Sequence, residues 1–154
     1  MVKSVFAGIK PVQVYPIGRV RATGRNGVVW IAEPFRSALK QLDKFSHLIV
    51  IWWADRSDRP GRRAILTINP PYARNRETGV FACRSPYRPN PVALTTCRIV
   101  GVEPDKGLIR VRNLDARAGT PVIDLKAYFP VCDRVKKAQI PEWCPRSWPE
   151  WVTE

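Results

Sequence analysis

Residues 83–91 read CRSPYRPNP and put two guanidinium forks, a hydroxyl and a carboxamide on a segment stiffened by three prolines. No helix runs through Pro86, Pro89 and Pro91, and no central strand tolerates them, so the segment is read as a rigid loop. Arg84 and Arg88 suit a carboxylate or phosphate, Ser85 and Asn90 exchange hydrogen bonds, and the prolines lower the ordering cost on binding. The plainer use of the same residues is to staple a surface loop. A second polar row lies in PVIDLKAYF (121–129). Alternation puts Ile123, Leu125, Ala127 and Phe129 on one face and Asp124, Lys126 and Tyr128 on the other. Because it follows the sharp turn at 118–120 and precedes Pro130 and Asp133, the polar row is a candidate pocket wall. YPIGRV (15–20) reads as a strand broken by a Pro-Ile-Gly kink, a place where backbone can approach a ligand.

Other chemistries find no residues. No GxGxxG or GxxxxGK[ST] loop supports a dinucleotide or P-loop site, and neither GxSxG nor HExxH occurs. His47, the single histidine, opens an apolar run and is read as structural. Cys83, Cys97, Cys132 and Cys144 show no CxxC spacing, which argues against a zinc ribbon and against a disulfide-dense secreted domain.

The elements that must position these groups are mainly strands. Runs at 12–22, 28–33, 47–54, 64–69, 92–103, 108–114 and 121–129 are separated by Gly/Pro turns. HLIVIWWA (47–54) is apolar on both faces, as a buried strand requires. Pro104-Asp105-Lys106-Gly107 turns 92–114 into a hairpin. Phe35, Leu39, Leu42 and Phe45 recur at helical spacing and predict one short helix. The fold expected is a mainly β, single-domain barrel over 1–136. An irregular Trp/Pro-rich strap follows at 137–154, where prolines 141, 145 and 149 forbid a regular helix. Trp143, Trp148 and Trp151 are expected to pack on the barrel or on a partner subunit, with nucleobase stacking as the other use.

Of the 154 residues, 26 are Lys or Arg and 13 Asp or Glu, for a net charge of +13. The first 32 residues hold Lys3, Lys10, Arg19, Arg21 and Arg25 and no acid; from Arg56 to Arg76 six arginines face the single acid Asp58. Such a field attracts polyanions, and nucleic acid is the expected partner. No apolar run is long enough to span a membrane. MVKSVFAGIK lacks the apolar core of a signal peptide, so a cytoplasmic location is expected.

YPIGRVR, LDKFSHLIVIWW, GVFACRSPYRPNP and LDARAGTPVIDLKAYFP, with Asp133 after them, together resemble the TsaA-like (TrmO) family over about residues 12–133. The resemblance implies a β-barrel S-adenosylmethionine-dependent tRNA methyltransferase, in the short form without an extra C-terminal domain. It implies a homodimer, with threonylcarbamoyl-adenosine beside the anticodon methylated at N6. On that reading Tyr15, Pro16, Ile17, Gly18, Arg84, Ser85, Arg88, Asn90, Asp124, Lys126 and Tyr128 line the cofactor pocket. Asp124 is the first candidate base, Asp115 and Asp133 the next, and the basic stretches hold the tRNA backbone. This chain departs from the family pattern at Val92-Ala93-Leu94-Thr95, Arg117-Ala118-Gly119 and Lys126-Ala127-Tyr128. If the family motifs converge, Cys83, Cys132 and Cys144 meet beside the cofactor, a set of thiolates suited to Zn²⁺ or another soft metal. The alternatives are a cofactor-binding enzyme with another acceptor, with or without that metal, and a non-catalytic protein that binds cofactor or nucleic acid.

Overall fold

The computed structural model describes residues 5–152; Lys3 and the rest of 1–4, with 153–154, lie outside the described residues. Six strands close an antiparallel barrel: β1 (Gly18–Ala22), β2 (Gly27–Ile31), β3 (His47–Trp53), β6 (Val92–Glu103), β7 (Leu108–Arg112) and β8 (Pro121–Ala127). Their order around the barrel is β1-β2-β7-β6-β3-β8. Closure leaves no exposed strand edge in this sheet. Two short strands, β4 (Thr67–Ile68) and β5 (Thr78–Gly79), pair outside it. The architecture is the mainly β barrel that the alternation predicts, and the 92–114 hairpin turns at Gly107, whose φ is +66°.

Inward rows of β-branched and leucine side chains fill the barrel: Val20, Val29, Ile31, Leu48, Val50, Ile109, Val111 and Val122 are each at most 1% exposed. Burying each contributes about 1.5–3 kcal/mol. Cys97 belongs to this core, and burial pushes its thiol up to about 12, so it is an inert packing group.

Two local features depart from the sequence expectation, and both re-aim side chains. The segment 35–45 is not one helix. It forms 3₁₀ turns at Glu33–Leu39 and Leu42–Lys44, broken at Gln41 with φ 70°. The break lets Leu39 and Leu42 both plug one end of the barrel while Phe35 and Phe45 stay at its rim. In β8 the pairing with β3 slips between Ile51 and Trp52, which face Asp124 and Val122 respectively. Ile123 is therefore a bulge residue, and Val122, Leu125 and Ala127 all pack on the core despite their mixed parity.

The strand read at 12–22 is regular only from Gly18. A Cβ at Gly18 would sit 2.0 Å from the Trp30 carbonyl oxygen, so the missing side chain admits the neighbouring strand, not a ligand. Single-turn helices α1 (Pro60–Arg63) and α2 (Pro130–Asp133) each begin with proline, whose fixed φ suits that position. Residues 137–152 contain no helix or strand. Among the described residues no helix is long and apolar enough to cross a membrane.

Candidate active site

Two cavities open on the barrel; of the candidate site residues, Asp115 lines one and Ile17 and Asp124 the other. The first, about 260 Å³, lies where β3 ends. Trp52, Ala54 and Asp55 come from that strand end, Pro86 and Tyr87 from the proline-rich loop, and Asp115, Arg117 and Thr120 from the turn after β7. Segments more than thirty residues apart are tied here by backbone bonds, as in Ala54 N–H donating to the Pro91 carbonyl at 2.8 Å. Two carboxylates, Asp55 and Asp115, face three guanidiniums, Arg56, Arg62 and Arg117. Trp52 is fixed by its indole N–H donating to Thr95 Oγ1 at 3.1 Å, and the Arg62 guanidinium lies 4.7 Å over the Tyr87 ring. Such a mouth suits a ligand with an aromatic ring, a carboxylate and a cationic group.

The second cavity, about 300 Å³, is apolar. Ile17, Phe35, Leu39, Leu42 and Phe45 line it, with Asp124, Leu125 and Ala127 from β8. Its carboxylate is already engaged. Asp124 Oδ1 accepts from the Leu125 N–H at 2.9 Å, and Oδ2 pairs with Lys126 Nζ at 2.9 Å. That hydrogen bond raises the Lys126 ammonium above its ordinary value.

The proline-rich loop inverts the sequence expectation. Its polar side chains mostly build the loop, while Pro86 and Tyr87 face the mixed-charge cavity. Arg88 donates to three carbonyls, those of Ser85 (2.9 Å), Cys83 (2.6 Å) and Val80. With Nε and Nη2 engaged this way, the Arg88 guanidinium staples the loop. Ser85 Oγ accepts from the Tyr87 N–H at 3.1 Å. Asn90 Oδ1 accepts from Arg63, which also donates to the Pro89 carbonyl at 2.7 Å. Arg84 is exposed and has no hydrogen bond or ion pair among the described residues.

The remaining candidates scatter. Tyr15 and Pro16 are exposed and line neither cavity, whereas Ile17 reaches the apolar one. Tyr128 packs edge-on to His47 with centroids 6.2 Å apart. Asp133 Oδ2 accepts from the Phe129 N–H at 2.7 Å, closing α2 on itself, so this carboxylate caps a turn. The thiolate site is also corrected: among the described residues no three His, Cys, Asp or Glu side chains gather where a metal could be held. Cys83 is buried against the Val80 carbonyl, Cys132 is exposed on α2 and Cys144 is half-buried in the C-terminal segment. Asp55, Arg117 and Tyr87 line the mixed-charge cavity and were not among the candidate site residues of the sequence. The available signal was their place at the end of a buried strand and in the two tight turns.

The model of the tRNA-methyltransferase O N-terminal domain family matches residues 3–134. A probable S-adenosyl-L-methionine-binding protein of Archaeoglobus fulgidus is 42% identical over 106 residues, 69% of this chain and 27% of that protein. The tRNA (adenine(37)-N6)-methyltransferase of Escherichia coli is 32% identical over 118 residues, 73% of this chain and 49% of the enzyme. The crystal structure of TrmO from Pseudomonas aeruginosa superposes with a TM-score of 0.66 at 26% identity, covering 85% of this chain and 62% of that one. The chain thus spans about a quarter to three-fifths of the length of these three relatives.

Proposed function

The chain belongs to the tRNA-methyltransferase O N-terminal domain family, and on that premise we propose that it methylates tRNA with S-adenosylmethionine. The acceptor is N6 of an adenosine, the threonylcarbamoyl-adenosine beside the anticodon. What carries the reading is the meeting of both family motifs at one mixed-charge cavity. The donor set fits the cofactor. Arg117 offers a fork for its carboxylate, Asp55 an acceptor for its ammonium, and Trp52 and Tyr87 ring surface for its adenine. When bound, S-adenosylmethionine supplies an electrophilic methyl on a sulfonium.

The chain's own task is to orient the acceptor nitrogen and take its proton. Holding the acceptor in line with the methyl supplies much of the rate. A urea-like N6–H is a weak nucleophile and gains from a positioned base. Asp115 is the base in this proposal, because it lines the mixed-charge cavity, whereas Asp124 already carries Lys126 and a backbone N–H. Exposed Arg56, Arg59 and Arg76 hold the tRNA backbone; Arg62 is engaged by the Arg56 carbonyl and the Tyr87 ring, and Arg63 by the Pro89 carbonyl. The working unit is a homodimer in the cytoplasm. Val92 and Leu94, 40% and 48% exposed on the outward face of β6, are the apolar surface for a second copy, which sedimentation tests.

The archaeal relative is named for the cofactor and no acceptor, the E. coli one for methyl transfer to a tRNA adenine. Incubation with labelled S-adenosylmethionine and bulk tRNA lacking the modification separates the two. Label in a tRNA species supports the whole proposal. Cofactor binding without transfer to any tRNA overturns the acceptor and leaves a cofactor-binding protein.

A further inference from the structure

The C-terminal segment lies beyond the family match at 134 and folds back onto Tyr72, in the 3₁₀ turn Pro71–Ala73. Its turns close through Cys144 N–H to the Pro141 carbonyl (3.0 Å) and Trp148 N–H to the Pro145 carbonyl (3.1 Å). Trp143 lies parallel to the Tyr72 ring, 6.3 Å between centroids and 12° between planes, and Trp148 meets it edge-on at 4.9 Å. Burial holds the Tyr72 phenol above its ordinary value, and the nearby Cys83 and Cys144 thiols add to the shift. The strap is therefore docked on the arginine-rich excursion beside the proline-rich loop.

The docking leaves charge and ring surface facing outward. A cavity of about 490 Å³ is lined by Tyr72 and Trp143 together with Arg74, Arg146 and Glu142. Neither guanidinium has a hydrogen bond or ion pair among the described residues. Arg74 and Asn75 both have positive φ, 47° and 62°, a tight turn that fixes where the Arg74 side chain leaves the backbone. Trp148 stays 47% exposed and Trp151 62%. Large rings left wet beside unpaired guanidiniums match the two recurring parts of a single-strand site, a stacking shelf and cations for the backbone.

We propose that Tyr72, Trp143, Trp148, Arg74 and Arg146 form a second RNA contact, at which an unpaired base stacks on the aromatic shelf while the arginines hold its flanking phosphates. Glu142, the carboxylate on the rim, disfavours a phosphate on its own side and can accept from an exocyclic base amine. The inference deepens the tRNA reading and gives this chain an RNA grip with three of its five residues, Trp143, Arg146 and Trp148, beyond the part matched by its family.

The test is binding of a short fluorescein-labelled single-stranded RNA to the full chain across a salt series, with methyl transfer to tRNA measured separately. Trp148→Leu should weaken RNA binding about tenfold with an unchanged salt slope. Arg146→Ala should lower the slope by roughly 0.7, the value of one single-strand phosphate contact. Arg74→Ala repeats that measurement should the Trp148 variant lose its fold by circular dichroism. Unaltered affinity and slope in the Trp148 and arginine variants would overturn the contact, even with methyl transfer intact. Wild-type RNA binding that these variants lose supports it, even where no tRNA is methylated.

Discussion

The two cavities on the barrel are similar in volume and opposite in chemistry. One collects two carboxylates and three guanidiniums from segments that meet only in the fold; the other is an apolar pocket whose lone acid is already paired. A carboxylate on the outward row of a strand draws attention in a sequence, but chemistry depends on which groups remain uncommitted. Asp124 illustrates the committed kind and Asp115 the uncommitted kind, only nine positions apart.

The largest expected effect separates these two acids directly. Asp115→Asn should lower turnover about 100-fold or more while cofactor affinity by calorimetry stays within about threefold. Asp124→Asn should change turnover by less than about threefold, since its partners are a lysine and a backbone amide. The opposite order of the two variants would move the chemistry to the apolar cavity.

Packing should show the reverse asymmetry. Leu39 is 3% exposed and plugs the barrel beneath the apolar cavity, so Leu39→Ala should cost about 2–5 kcal/mol in chemical denaturation. Arg117→Ala, at the exposed rim of the charged cavity, should cost less than about 0.5 kcal/mol and weaken cofactor binding instead. A stability loss of equal size at Arg117 would make the charged cavity structural.

Between these extremes lies the loop that joins both kinds of role. Arg88→Ala removes the donor shared by three carbonyls and should destabilise the chain by about 1–3 kcal/mol. Cofactor affinity should fall only in proportion to loop disorder, and Arg88→Lys should fail to restore the loop because an ammonium lacks the planar fork. Full rescue by lysine in melting experiments would contradict the staple.

The strands were legible because β3 is apolar on both faces and β6–β7 carries a Pro-Asp-Lys-Gly turn, both local signals. The split at Gln41 was not, since Phe35, Leu39, Leu42 and Phe45 keep helical spacing whether or not the helix is continuous. Nor was the bulge at Ile123, which is set by pairing with Ile51 and Trp52 some seventy residues away. Arg88 looked like a ligand fork because composition reports donors and not their partners. Asp55 and Arg117 were hidden for the same reason, their meeting being decided by the closure of the barrel.

The smallest effect concerns the pair that looked most like a site. Lys126 and Asp124 are 62% and 46% exposed, and water screens their attraction. Lys126→Met should leave the thermal midpoint unchanged within error at neutral pH. The pair raises the lysine above its ordinary 10.5, so whatever it adds is present below that value and fades as pH climbs past it. Wild type and variant should therefore melt alike near pH 7 and still alike above pH 11. A clear gap at neutral pH that closes in alkali would show that the ion pair matters to the wall of the apolar cavity, and would return Asp124 to contention against Asp115.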